Sequence, residues 1–168
     1  MINLFSRTER ADLAIDLGTA NTRIITAKDG IVFDEPSICC FAGPADNRKL
    51  FSTGHAAAKM LGHTTGDLKL VRPLSRGVLN DMNAARQFLE QAIRTSMETR
   101  RISGLSAVIG VPIDATKAER NALVTAAMDV GFKSVKLWDE PLAAAVGAGI
   151  DVTLPVANLI VECGAGIT

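Results

Sequence analysis

Asp29-Gly30 stands between two apolar runs, Ile24-Ile25 and Ile31-Val32-Phe33, and is the strongest short hairpin signal in the chain. A tight turn there makes the flanking strands antiparallel neighbours. Leu13–Leu17 reads as a buried strand closed by Gly18, Asn21–Ala27 as the next, and Ile31–Phe33 as the returning one. Pro36 punctuates, and Ser37–Phe41 reads as a further strand. Such a meander excludes a βαβ opening, because parallel neighbours need a crossover of about a dozen residues or more.

Gly43 to Arg76 is irregular, with a short helix predicted over His55–Leu61. From Asn80 the period changes. Ala85, Phe88, Leu89, Ala92 and Ile93 form one apolar stripe of an amphipathic helix. Leu105–Val111 reads as a strand closed by Pro112. Thr116-x-x-Glu119 has capping-box spacing ahead of a helix carrying Leu123, Ala126, Ala127 and Val130, with Gly131 as its C-terminal stop. Ser134–Leu137 (strand), Pro141–Ala148 (helix) and Asn158–Glu162 (last strand) complete the order. The fold class is therefore α/β, a mixed sheet with helices on its faces.

Charge and cysteine usage limit the partners. Lys plus Arg and Asp plus Glu number 18 each in 168 residues, so no net positive field exists to hold nucleic acid. The three cysteines, Cys39, Cys40 and Cys163, have neither disulfide-framework nor metal-ligand spacing. With no signal peptide, this favours a reducing cytoplasm. No apolar run is long enough to cross a bilayer as a helix. His55 and His63 have no ligand partners at metal spacing and read as loop residues. Cys39 and Cys40 read as packing within a strand, and Cys163 borders a glycine turn.

Three stretches carry candidate chemistry. In Asp16-Leu17-Gly18-Thr19-Ala20-Asn21-Thr22 an acidic residue ends a strand and a glycine turn follows. Backbone N–H and hydroxyl groups in such a turn form a concavity for phosphate oxygens, with Asp16 available to a hydrated Mg²⁺. The same residues equally describe an ordinary hairpin with a polar turn. In Asp139-Glu140-Pro141, proline at the first helical position makes Glu140 the cap. The alternative role for Glu140 is to orient a water for attack on a terminal phosphate. Glu162-Cys163-Gly164-Ala165-Gly166-Ile167-Thr168 repeats the logic of the first turn, and two such turns could grip a polyphosphate from both sides. Neither is a Walker A loop.

Several segments in register carry a resemblance. IDLGTANT at Ile15–Thr22, GIVFDEPS at Gly30–Ser37, GHAAAKMLGHTTG at Gly54–Gly66 and VRPLSRGVLND at Val71–Asp81 resemble the MreB family of bacterial actins. VIGVPIDATKAER at Val108–Arg120 and WDEPLAAAVGAGI at Trp138–Ile150 continue the likeness. The resemblance implies the first domain of an actin-like ATPase over residues 11–168. That domain is a ribonuclease-H-like mixed sheet with flanking helices, with a small inserted subdomain at roughly 40–80. It also implies ATP and Mg²⁺ as cofactors, self-association or association with full-length MreB into filaments, and a link to the cell-wall elongation machinery and cell shape. By matched position, Asp16 and Glu162 would approach the metal, and Glu140 with Glu162 would serve catalysis. Gly18, Thr19, Ala20, Asn21, Gly164, Ala165, Gly166 and Thr168 would line the phosphates.

The second turn departs from the family's usual Asp-Ile-Gly-Gly-Gly-Thr-Thr. Glu162 is one methylene longer, Ala165 adds a methyl, and Ile167 removes a hydroxyl. A displacement of about 1 Å at a reacting group can cost ~10²-fold in rate. The family's second actin domain, which supplies the opposite cleft wall, is expected to be absent here. Weak ATP affinity and little turnover are therefore expected. A non-catalytic half-actin module that binds or modulates MreB filaments is the alternative function. Residues 1–10 have the place of a membrane-contacting segment at the inner face of the cell membrane, against a frayed terminus as the plainer reading. The Met97–Leu105 loop, with Arg100, Arg101 and Ile102, is a second such candidate against a solvated basic loop.

Overall fold

The computed structural model describes residues 11–63, 66–97 and 102–166. In chain order the first elements are β1 (Leu13–Leu17), β2 (Asn21–Thr26), β3 (Gly30–Pro36), β4 (Cys39–Ala42), β5 (Lys49–Thr53) and α1 (Gly54–Ala58). Then come β6 (Leu68–Val71), β7 (Leu74–Ser75), β8 (Val78–Leu79) and α2 (Met82–Met97). The last are β9 (Ser106–Val111), α3 (Lys117–Val130), β10 (Ser134–Asp139) and α4 (Glu140–Gly147).

The main sheet has the order β10-β9-β1-β2-β3. β1, β2 and β3 form the antiparallel meander, while β1, β9 and β10 run parallel. The period of two gives the sheet two different faces. Leu13, Ile15 and Leu17 of β1 and Ala107, Ile109 and Val111 of β9 are buried in the core beneath α2 and α3. The alternate residues open the other way, towards a cavity described below. α2 presents Ala85, Phe88, Leu89, Ala92 and Ile93 to this core, and Phe88 meets Phe33 edge-on with ring centroids 6.2 Å apart. Burying a side chain of the size of Phe88 is worth about 1.5–3 kcal/mol.

α3 starts as its sequence dictates. The Thr116 hydroxyl accepts from Glu119 N–H at 3.3 Å, and the Glu119 carboxylate accepts from Thr116 N–H at 2.7 Å. Gly131 ends the helix at φ 110°, a conformation that costs glycine little.

A second sheet, antiparallel in the order β5-β4-β6, occupies part of the segment read as irregular. Its strands are four or five residues long, and Lys69 interrupts the apolar run of β6, so no periodic signal accumulates. Cys39 and Cys40 point to opposite faces of β4. Cys39 joins the main core with Phe41, and Cys40 joins a satellite cluster with Ile38 and Ala57 of α1. Burial pushes the Cys39 thiol up to about 12, with the negative charge of Asp81 adding to it, so this sulfur is an inert packing atom.

Three other expectations are corrected. Asn158–Glu162 forms no strand: Leu159 and Val161 are 86% and 70% exposed, and no sheet neighbour pairs with them among the described residues. Glu140 does not cap α4. Asp139 holds the N-cap position without a side-chain capping bond, because its carboxylate takes Arg120 instead. Ile102, a candidate for membrane contact, is buried in the main core. Arg100, Arg101, residues 1–10 and Thr168 lie outside the described residues. No helix among the described residues is long and apolar enough to cross a membrane.

Candidate functional site

The second face of the main sheet forms the floor of a cavity of about 1000 Å³. Register explains who lines it. Asp16 stands opposite Arg23 and Ala14 opposite Ile25, while Ala14 is beside Val108 and Gly110 beside Trp138. All of these side chains project from the face that α2 and α3 leave open, and all line the cavity.

One wall is the β1–β2 turn. Gly18 N–H donates to Asn21 O at 3.1 Å, and a Cβ on Gly18 would stand 2.6 Å from that oxygen, so only glycine closes this turn. The Gly18 N–H is thereby committed and does not point at a ligand. Behind the turn, Ser37 N–H donates to Ala20 O at 2.7 Å and the Ser37 hydroxyl donates to Gly18 O at 2.6 Å. Ser37 also meets the Thr22 hydroxyl at 2.8 Å, and both side chains are fully buried. The turn is held from behind, leaving its outer rim to the cavity.

A third segment reaches this rim. β7 and β8 are joined by Arg76 and Gly77, at φ 52° and 72°, in a two-residue hairpin. Gly77 N–H donates to the Thr19 hydroxyl oxygen at 2.8 Å, so the hydroxyl hydrogen of Thr19 remains to be donated elsewhere. Gly166, from the second glycine turn, sits against Thr19 and Arg76. A Cβ on Gly166 would stand 2.5 Å from Thr19 Oγ1 and 2.9 Å from Arg76 Cα. The two turns predicted from opposite ends of the chain therefore meet, with the hairpin tip between them.

Glu140 lies on the floor. Gly110 lies beside it, and a Cβ there would stand 3.4 Å from Glu140 Cγ, an ordinary van der Waals contact. Burial pushes the Glu140 carboxyl from 4.5 up to about 7, and the charges of Asp16, Glu162 and Asp114 push it the same way. One guanidinium fixes the backbone around it. Arg120 donates to Asp139 Oδ1 at 2.6 Å and to the carbonyls of Pro112, Ile113 and Ala115 at 3.1–3.3 Å. The loop carrying Asp114 is thus tied to the residue immediately before Glu140.

Asp16, Gly18, Thr19, Ala20, Asn21, Glu140, Glu162, Gly164, Ala165 and Gly166 all line this one cavity. For a metal, the fit is limited. Asp16 is paired with Arg23 at 3.3 Å, and among the described residues no group of three or more His, Cys, Asp or Glu side chains converges on one point. A hydrated Mg²⁺ needs only one or two carboxylates when phosphates complete its shell, and Asp16 and Glu162 are the carboxylates at the turns. Sequence reasoning missed Arg23, Asp114, Arg120 and the Arg76-Gly77 tip. Arg-Gly between Leu74-Ser75 and Val78-Leu79 was a readable, if weak, hairpin signal. The others are brought to the site by strand register and loop packing.

Comparisons with known proteins agree with this architecture. The family model described as MreB/Mbl protein matches residues 10–168. The cell shape-determining protein MreB of Escherichia coli K12 is 34% identical over 171 aligned positions, covering all of this chain and 49% of that protein. Mbl of Bacillus subtilis is 35% identical, covering 94% of this chain and 46% of its own. The chain spans about half the length of the relatives it matches. Among solved structures, MreB 5 of Spiroplasma citri bound to AMPPNP superposes with a TM-score of 0.76 at 35% identity, over 85% of this chain and 42% of that one. The MamK double helical filament superposes with a TM-score of 0.67 at 25% identity, over 82% and 43%. The fold is actin-like.

Proposed function

The chain belongs to the MreB/Mbl family of cell shape-determining proteins, and from that premise we propose that its cavity binds ATP with Mg²⁺ and that nucleotide governs its assembly into filaments. The observation that carries this reading is the contact of Gly166 with Thr19 and Arg76, which brings the two glycine turns together in the cavity that Glu140 also lines. The solved relative MreB 5 is bound to AMPPNP, which supports a nucleotide as the occupant.

The residues divide the work by their chemistry. The Thr19 hydroxyl, its oxygen already accepting from Gly77, donates its hydrogen to a phosphate oxygen. The turn residues Ala20 and Asn21 and the facing Gly164, Ala165 and Gly166 confine the phosphates. Asp16 and Glu162 would hold Mg²⁺, which supplies charge neutralisation at the phosphates when bound. Glu140, with a carboxyl that titrates near neutrality, accepts a hydrogen bond at its carboxylate oxygen from a water and so orients that water. Arg120 keeps the backbone of Asp139 and Asp114 in place around it.

The proposal extends to the setting: a cytoplasmic protein at the inner face of the cell membrane, working with the cell-wall elongation machinery. Calorimetric titration of Mg-AMPPNP into the chain, with Asp16→Ala beside it, tests the site. Saturable binding to the parent protein, weakened at least tenfold in Asp16→Ala, supports it. Equal heats from both proteins refute it.

One observation favours a second reading. Leu154, Val156, Leu159 and Val161 are 56–86% exposed, an apolar row suited to docking on another chain. In that reading the protein is a non-catalytic module that binds full-length MreB filaments. Co-pelleting with separately prepared full-length MreB, unchanged by removing nucleotide from this chain, would favour it over the first.

A further inference from the structure

Arg23 is the only basic side chain among the described residues that line the main cavity, and it shares those walls with four carboxylates, Asp16, Asp114, Glu140 and Glu162. Strand register fixes its place. Asp16 on β1, Arg23 on β2 and Asp34 on β3 stand directly opposite one another, so their side chains leave the same face of the sheet as one row. Arg23 Nε donates to Asp34 Oδ2 at 3.2 Å, and Nη1 donates to Asp16 Oδ2 at 3.3 Å. Asp16 lines the cavity and Asp34 does not. The guanidinium is thus anchored from the outer strand and held against the carboxylate beside the first glycine turn.

That pairing bears on how a metal reaches the site. Among the described residues no three acidic, histidine or cysteine side chains converge on one point, so a bare divalent cation at Asp16 would keep most of its shell as water. It would also share that carboxylate with a guanidinium that stays charged throughout the accessible pH range. The two positive charges oppose each other. A cation that arrives on a polyphosphate is different, because the complex carries net negative charge and meets attraction from Arg23 instead. The effect is moderate, since the Arg23 and Asp16 side chains are 43% and 48% exposed and water screens them.

On the reading that this cavity takes Mg-nucleotide, we propose that Arg23 is a specificity-determining residue of the site: by occupying Asp16 it disfavours free divalent cations at the first turn and selects the metal–nucleotide complex over the metal alone. Selectivity of this kind is a difference between two affinities, and one positive charge moves them in opposite directions. A cross-strand ion pair that only braced the meander would move neither.

Mn²⁺ is the probe for the metal alone, because its free electron paramagnetic resonance signal falls as it binds. It is titrated into the intact chain without nucleotide, and Mg-AMPPNP is titrated calorimetrically in a separate arm. Arg23→Met is expected to raise Mn²⁺ affinity about threefold or more, while its Mg-AMPPNP affinity does not rise. Arg23→Lys keeps the charge and stays near the parental values in both arms. Adding Asp16→Asn to Arg23→Met cancels the gain in Mn²⁺ affinity. Equal Mn²⁺ affinity in the parent and Arg23→Met overturns the proposal, as does a gain that survives Asp16→Asn or appears equally for Mg-AMPPNP. Absence of Mg-AMPPNP binding by the parent overturns the nucleotide reading and this proposal together, whereas an unresponsive Mn²⁺ arm beside intact nucleotide binding overturns this proposal alone.

Discussion

Glu140 carries its proton towards neutral pH because it is half-buried among three other carboxylates. The sign of its effect on stability follows. The unfolded carboxyl loses its proton near 4.5 and the folded one near 7, so between those values the unfolded state is increasingly favoured as pH rises. Glu140→Gln removes that dependence. Its melting temperature should exceed the parent's at pH 8, and the difference should shrink towards zero by pH 4.5, as read by calorimetry across a pH series. The Ser37 hydroxyl is the other residue with a calculable effect, since it donates to Gly18 O and meets Thr22 in a fully buried setting. Ser37→Ala strands both partners and should cost about 1–3 kcal/mol in urea unfolding. At this scale the acidic and glycine residues of the site were legible, because strand-end turns announce themselves locally. Arg23 and Asp114 were not, because nothing near them in sequence says which turn they will face.

Helices were the most legible elements. The stripe from Ala85 to Ile93 and the Thr116–Glu119 box each set a period or an end within a few residues, and both occur as read. Thr116→Ala should lower stability by about 1 kcal/mol in chemical denaturation, with the fold otherwise retained. Glu119→Ala opens the same box from the other side and should act in the same direction. The strands β5 and β6 escaped detection for the opposite reason: each is short, carries a lysine, and owes its place to β4 between them rather than to its own pattern. The segment Asn158–Glu162 shows the converse error. It has strand composition, yet composition forms no strand without a neighbour to pair with, and its apolar residues stand in solvent. α4 was placed correctly while its cap was not, because Arg120 draws the Asp139 carboxylate away from the helix N-terminus.

At the scale of the molecule, the site exists only because three distant segments meet at Thr19: the first turn, the Arg76-Gly77 tip and the second turn at Gly166. Their likeness as glycine turns was visible in sequence, and so was the idea that they pair; the hairpin wedged between them was not. The contact is too close for any side chain on Gly166. Thr19 Oγ1 at 2.5 Å is the end of a side chain and can move, but Arg76 Cα at 2.9 Å is backbone, fixed by a hairpin whose Gly77 also holds Thr19. Gly166→Ala must therefore displace the second turn rather than the first. The preceding residues 161–165 are exposed and contribute little to the core, so the global unfolding free energy should change by no more than ~0.5 kcal/mol. Mg-AMPPNP affinity should fall at least tenfold, because the phosphates would be gripped from one side only. Denaturation and titration calorimetry on the same variant separate the two effects. A large loss of stability would mean that the second turn belongs to the folded core, and unchanged affinity would mean that the nucleotide is held by the first turn alone.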